Sequence, residues 1–383
     1  MGMQGRQAQH PDESTCQSAN HRKPAETPLS AIQPAKKPFS AVDVFCGAGG
    51  LTHGLLKEGI PVYAGVDIDP KCRYPYEKNN GCLFVEEDVA KISGSEVASF
   101  FPLNDTKILV GCAPCQPFST YTRGKKDRKF HRWGLLSAFG RIIREANPDI
   151  ISMENVPQLE KERVFKRFVA GLRSAGYSVT YSNVNCWEYG VPQTRTRLVL
   201  FASKFGPIAL TKPTHHRKRR RTVRQAISRL HPLKAGEIFK GDRLHRASAL
   251  SPRNLRRIQA SKPGGTWRDW TDELVADCHK AETGETYPGV YGRMAWKGPA
   301  PTITTQCHGF GNGRFGHPEQ DRAISLREAA LLQTFPRRYR FTAPTDPITF
   351  HHLGRLIGNA VPVRLGRIIG RSIVMHLEAQ CGR

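Results

Sequence analysis

No apolar run in this sequence approaches the ~18 residues that a membrane span needs, and its polar N-terminus has no apolar signal-peptide core. A soluble, cytoplasmic chain without a membrane partner is expected. Acidic residues are scarce, with 33 Asp and Glu against 58 Lys and Arg and a formal charge of +25. That deficit favours a polyanionic partner, through steering and counterion release. A merely sticky chain would show the same total, so the position of the charge matters. Residues 1–37 hold five basic and three acidic side chains, whereas 204–257 hold sixteen and two. One internal segment carries the excess, which points to a nucleic-acid surface. The ten cysteines are scattered and follow no secretory signal, which argues against a disulfide framework. Cys112 and Cys115 form a Cys-x-x-Cys, but no second pair stands at zinc-site spacing, so no metal is expected. Internal repeats are absent too.

What remains is a chain of 383 residues, 39% hydrophobic, with room for two domains. Residues 1–37, rich in Gln, Ser, Pro and Ala, read as a disordered extension. Order begins with a strand, Ala41 to Phe45, which runs into Gly47, Gly49 and Gly50. A helix from Leu51 to Glu58 and a strand from Val62 to Val66 complete a βαβ unit. Ile108–Val110, Ile150–Ile151, Val179–Val184 and Leu198–Phe201 read as further strands. Leu135–Glu145 and the face Val164, Phe165, Phe168, Val169, Leu172 read as helices. The fold class is therefore α/β with a mostly parallel sheet. From about Pro207 to His317 apolar periodicity fades, and Gly, Pro, Arg and Trp rise. Helices from Leu326 to Gln333 and from Val363 to Leu377 then resume the first pattern, making the basic region an insertion. The expected division is 38–206 plus 321–383 for one domain and 207–320 for a smaller, irregular, β-containing one.

Several residues carry candidate chemistry. Glycines 47 and 49 after a strand let backbone amides approach a ligand at a helix N-terminus, although a packing turn without ligand reads alike. Asp67 ends the next strand, where a carboxylate typically accepts ribose hydroxyls, and Asp88 suits an adenine amine. This pair fits any adenosine-containing cofactor, NAD included. Asp69, before Pro70, also reads as a helix cap. Cys115, after Pro114 at a strand end, is placed like a nucleophile, with a buried structural cysteine as its alternative. Glu154 stands at the end of the strand from Ile150, unless it caps a helix. Arg195 and Arg197 alternate into a strand and so share a face, or else form a surface pair.

Together these blocks resemble the cytosine-5 DNA methyltransferase family across about residues 39–375. The shared motifs are Asp43-Val44-Phe45-Cys46-Gly47-Ala48-Gly49-Gly50, Pro114-Cys115-Gln116, Glu154-Asn155-Val156 and Gln193-x-Arg195-x-Arg197. Arg327-Glu328-Ala329-Ala330-x-x-Gln333-x-Phe335-Pro336 and Gly358-Asn359-Ala360-Val361-Pro362 follow in the family's order. The resemblance implies a Rossmann-like S-adenosylmethionine-dependent methyltransferase domain with an inserted target-recognition domain at 207–320. It implies Cys115 as nucleophile toward carbon 6 of a flipped cytosine, Glu154 on the ring N3 and amine, and Arg197 on O2 with Arg195 beside it. For S-adenosylmethionine it implies Phe45, Gly47, Gly49, Asp67, Ile68, Asp88, Pro114, Leu135 and Asn359. Glu is frequent in the family where Asp67 stands.

For double-stranded DNA the resemblance implies the loop after Cys115, with Arg123, Lys125 and Arg128, and Thr302 near the flipped base. Arg217 and Arg219, in the run His215–Arg221, are phosphate-binding candidates on charge. A solvated loop and a nuclear-import signal are the alternatives for these two basic runs. A monomeric bacterial or phage enzyme, near the nucleoid and paired with a restriction endonuclease, fits the resemblance. A tRNA cytosine methyltransferase has a reduced recognition region, against about 110 residues here. A catalytically silent homologue keeps the motifs without turnover. A nicotinamide oxidoreductase explains only the first βαβ unit.

Overall fold

The computed structural model describes residues 38–114, 129–281, 284 and 287–381. The extension 1–37, Cys115, Arg123, Lys125 and Arg128 lie outside the described residues. Seven strands form one sheet: β1 (Phe39–Val44), β2 (Val62–Asp67), β3 (Leu83–Glu86), β4 (Thr106–Gly111), β5 (Ile150–Asn155), β6 (Ser178–Asn185) and β7 (Thr196–Ser203). Their order is β3-β2-β1-β4-β5-β7-β6. β1 to β5 run parallel, and β7 pairs antiparallel with both β5 and β6.

The period of two in the strands explains the layers. In β1 and β4, Ala41, Ile108 and Val110 face one apolar cluster, together with Leu51 and Leu55 of α1 (Gly50–Lys57). Val42, Val44 and Leu109 face a second cluster. Because both faces are covered, these strands read as continuous apolar runs instead of alternating ones. α2 (Arg73–Asn80) and α3 (Gly94–Ser99) join the outer strands. Phe139 and Ile142 of α4 (Lys129–Ala146) and Phe165, Phe168 and Leu172 of α5 (Arg163–Ser174) cover the second face. In α5 the buried positions 165, 168, 169 and 172 form one helical stripe.

After β7 the chain becomes irregular. α6 (Val223–Ile227), α7 (Pro252–Ala260) and α8 (Asp277–Lys280) are short, and isolated bridges such as Ile238 with Arg246 and Arg293 with Gly316 replace a ladder. Two packing regimes divide this stretch. Ile208, Val223, Ile227 and Leu244 belong to the cluster that contains α1, whereas Ile258, Trp267, Trp270, Phe310 and Ala323 make a small core of their own. The chain then returns through α9 (Leu326–Leu332), α10 (Phe350–Asn359) and α11 (Val363–Cys381). Leu365, Ile369 and Ile373 of α11 lie in the same cluster as Leu51 and Leu55. Among the described residues no helix is long and apolar enough to cross a membrane.

Candidate active site

The strand order reverses direction between β1 and β4, and in doubly wound sheets ligands bind outside the carboxyl ends of the strands at that point. The turn after β1 occupies it. Phe45 (φ 61°) and Gly47 (φ 52°) are both left-handed, a conformation that costs a side-chain-bearing residue. Among the described residues no atom lies within 4 Å of where a Gly47 Cβ would stand, so the turn keeps open space there. The Gly47 amide donates to Asp67 Oδ2 at 2.9 Å, and Asp67 Oδ1 accepts from the Asp69 amide at 3.0 Å. Gly49 and Gly50 face protein instead. A Cβ on Gly49 would strike the Asn80 amide, and one on Gly50 the Val361 carbonyl. Beneath the turn Asp43 is 1% exposed and accepts from Thr52 Oγ1 at 2.6 Å. Burial, with Asp67 nearby, raises the Asp43 carboxyl to about 7.

The second part of the site depends on the reversed direction of β7. Because β7 runs antiparallel to β5, its first residues lie beside the last ones of β5, with Asn155 opposite Leu198. Glu154, 2% exposed, thus meets the arginines that lead into β7. Arg197 Nε lies 3.0 Å from Glu154 Oε1, but among the described residues no donor is aligned with that oxygen as a hydrogen bond. Glu154 Oε2 accepts from the Cys112 thiol at 2.8 Å. Arg195 is also buried, reaching the Ile303 and Ala360 carbonyls at 3.4 Å, and its Nε has no acceptor among the described residues. Burial and the neighbouring Arg197 lower its guanidinium to about 10, so it stays charged at neutral pH. Asn155 Nδ2 donates to the Ala113 carbonyl at 3.1 Å and ties the start of the Pro114 loop to β5.

The C-terminal return closes over both parts. The Tyr339 hydroxyl donates to the Ala48 carbonyl at 2.5 Å, and Arg355 of α10 pairs with Asp69 at 2.5 Å. Gln193 Nε2 donates to the Leu332 carbonyl and to Gln333 Oε1, both at 2.8 Å. Gln333 in turn donates to the Ile357 carbonyl at 2.8 Å. These two buried glutamines lock the arginine segment to α9 and α10. Thr302 Oγ1 donates to the Thr194 carbonyl at 3.3 Å, beside a cleft of about 570 Å³ also lined by Met294, Thr304, Asn312 and Phe315. Among the described residues no group of three or more His, Cys, Asp or Glu is arranged to hold a metal ion.

A sequence profile of the C-5 cytosine-specific DNA methylases matches residues 39–375. The chain belongs to that family. The methylase is 56% identical to the Type II methylase M.HgiDII of Herpetosiphon aurantiacus over 342 residues, 88% of this chain and 96% of that one. It is 31% identical to the Type II methyltransferase M1.BsuMI of Bacillus subtilis over 350 residues, 86% and 79% of the two chains. Among solved structures, a candidate DNA modification methyltransferase encoded within an E. coli prophage superposes with a TM-score of 0.67. It shares 22% identity over 89% of this chain and 99% of that one, and so supports the Rossmann-like fold alone.

In the methylase the sequence-derived residues fall into three groups. Glu154, Arg195 and Arg197 converge, and Phe45, Gly47 and Asp67 converge on the β1 turn. Gly49 belongs to that same turn, Pro114 and Asn359 adjoin residues bonded to Asn155 and Arg195, and the remainder lie as follows. Ile68 is 65% exposed beside Asp67. Asp88 follows β3, and its Oδ1 accepts from the Ala90 amide at 2.9 Å, the pattern of a turn cap. Pro114 is exposed, Leu135 of α4 is half-buried, and Asn359 is exposed at the end of α10. Arg217 and Arg219 form an exposed helical turn. The end of their run, Arg221, lines a separate cleft of about 350 Å³ with His53, Lys57, Arg364 and Arg367. Asp69 is the cap of the turn Pro70–Cys72, accepting from the Lys71 amide at 3.2 Å. Glu154 lies in a strand and both arginines are largely buried, which removes the helix-cap and surface-pair alternatives. Sequence reasoning missed the Cys112 thiol, the buried Asp43 and the two locking glutamines. A carboxylate inside the apolar run of β1 was the available signal for Asp43.

Proposed function

We propose that this DNA cytosine-5 methyltransferase uses S-adenosylmethionine to methylate a flipped-out cytosine within a specific double-stranded DNA sequence, through a covalent Cys115 adduct. The observation that carries the reading is the Glu154 carboxylate. It is buried at the carboxyl edge of β5, with Arg197 against one oxygen and that oxygen lacking an aligned donor among the described residues. A buried acceptor left open costs stability, and such groups concentrate where a ligand completes them. Cytosine N3, once protonated, and its exocyclic amine offer the matching donors.

Phe45, Gly47, Asp67, Ile68 and Asp88 would hold the cofactor's adenosine, with Pro114, Leu135, Asn359 and Gly49 around them. The open space over Gly47 at the strand-order reversal fits such a ligand. When bound, S-adenosylmethionine supplies an electrophilic methyl group. The Cys115 thiolate adds to carbon 6, and the ring's electron pair moves so that carbon 5 becomes nucleophilic. Glu154 stabilises that charge at N3, and Arg197 holds O2 and the carboxylate. After methylation a base takes the carbon 5 proton, and the sulfur–carbon bond breaks to release Cys115. Extruding the cytosine costs a few kcal/mol, offset by contacts from the loop carrying Arg123, Lys125 and Arg128.

Residues 207–320 serve as the recognition domain, centred on the small core of Trp267 and Trp270, with Thr302 near the flipped base and Arg217 and Arg219 on phosphates. By analogy with its Type II relatives, the methylase protects DNA alongside a restriction endonuclease, as a monomer in the bacterial cytoplasm. Bisulfite sequencing of a cytosine-rich plasmid, after incubation with the protein and S-adenosylmethionine, tests the reading. Protection is expected at one short recurring sequence and should vanish with Cys115→Ser while DNA binding persists. Turnover by the serine variant would reject the nucleophile, and no protection by binding-competent enzyme would reject the reaction.

A further inference from the structure

We propose that Cys112 is a positioning residue for Glu154, its thiol holding Oε2 so that Oε1 is the oxygen left for the target base. The inference rests on the reading of Glu154 given above, and it names a group that reading does not use. Adjacent parallel strands create the contact. Gly111 of β4 is in register with Met153 of β5, so Cys112, the residue just past β4, and Glu154, the next residue of β5, come side by side at the carboxyl edge. The 2.8 Å bond from Sγ to Oε2 follows from that register. The Asn155–Ala113 bond fixes the backbone on the far side of Cys112, so the thiol does not drift from its acceptor.

The protonation state suits a donor. Burial first, and the Glu154 carboxylate second, push the Cys112 thiol well above its usual range, so it keeps its proton wherever the enzyme works. Other charged or titratable groups near Glu154 are Arg195 and Arg197 from the β7 side and Cys186 after β6. None of these takes the thiol's place. Arg197 spends Nη1 on the Thr196 carbonyl at 2.7 Å and stands with Nε 3.0 Å from Oε1, and the Cys186 thiol is itself pushed up to about 11, chiefly by burial. Glutamate has a long, rotatable side chain, and small misplacements of a reacting group cost large factors in rate. A thiol donor pinned by two strands removes one rotation of the carboxylate. A buried cysteine that merely fills space would make no such demand on its hydrogen.

The discriminating experiment compares Cys112→Ala and Cys112→Val, which lack the donor, with Cys112→Ser, which retains one. Full-length enzymes are assayed with tritiated S-adenosylmethionine on DNA carrying the site found by bisulfite sequencing, and melting temperatures are recorded. Loss of a hydrogen bond to a charged group predicts a fall in kcat of about tenfold for Ala and Val, with both KM values within about twofold. The serine variant should recover most of the lost kcat. Wild-type kcat in Cys112→Ala or Cys112→Val, or a serine variant no better than alanine at equal melting temperature, overturns the inference. Glu154→Gln runs in parallel: its inactivity beside fully active Cys112 variants removes only the role of Cys112, whereas its full activity removes the reading of Glu154 itself.

Discussion

Among the described residues two glutamates are buried beside arginines, and they are built differently. Glu328, 1% exposed at the start of α9, is saturated. Arg322 grips its two oxygens at 2.7 and 2.8 Å, and the Ser325 amide adds a third bond at 2.6 Å within a capping box. Burial alone would raise this carboxyl, yet the Arg322 bonds and charge outweigh it and hold it at about 2. Glu154, just as buried, has one thiol bond and an arginine out of line with its other oxygen. The first arrangement fixes the start of α9 to the segment just before it. On the proposed function, the second leaves a place for the target base.

Exchanging oxygen for nitrogen at each position sharpens the contrast most. Glu154→Gln should lower methylation by about 100-fold or more while the melting temperature stays near wild type. Glu328→Gln should do the reverse, losing about 3–5 kcal/mol of stability because a buried arginine is left without its counter-charge, while the folded fraction still methylates DNA. Equal effects of the two changes on activity would break the comparison.

Acid offers a gentler probe of the Glu328 cluster. His317 accepts two backbone amides on Nδ1, and burial lowers it to about 4, so it is neutral at pH 7. Both groups have depressed folded values, so their stabilisation is present at neutral pH and lost on acidification. His317 accounts for the loss from about 6.5 down to about 4 and Glu328 for the loss from about 4.5 to about 2. Melting temperatures across this range should therefore fall less steeply in His317→Gln above pH 4. An unchanged slope would remove His317 from the cluster. The smallest effect is expected at the surface. Neutralising Arg217 to Arg221 should weaken DNA binding and flatten its salt dependence by about 0.9 for each phosphate left without its cation. An unaltered slope would place the phosphate-binding cations elsewhere.

The central sheet was legible because its strands are short apolar runs bounded by turn residues, and the run from Ala41 into the glycines announced the first βαβ unit. The direction of β7 was not legible. Leu198 to Phe201 reads alike either way, yet only the antiparallel course brings Arg197 to Glu154. α2 escaped notice because Pro75 and Tyr76 are its only buried residues. In α10 the apolar positions are interleaved with histidine, glycine and arginine. The region after β7 is held by bonds that leave no periodic trace, such as Arg293 donating to the His317, Gln320 and Ile258 carbonyls. At the site, Glu154, Arg195 and Arg197 were visible as chemistry at strand ends. Cys112 was read only as half of a Cys-x-x-Cys, since a thiol's partner depends on strand register, which the sequence does not display.

The bond from Tyr339 to Ala48 joins residues 291 positions apart. A ribosome delivers the first βαβ unit early and its cover almost last. The turn after β1 stays uncovered while the sheet, the basic segment and α9 emerge, and it is capped only once Tyr339 and then Arg355 of α10 have been made. A chain truncated before Tyr339 would therefore carry five of the six motif blocks and still lack the bond that caps that turn.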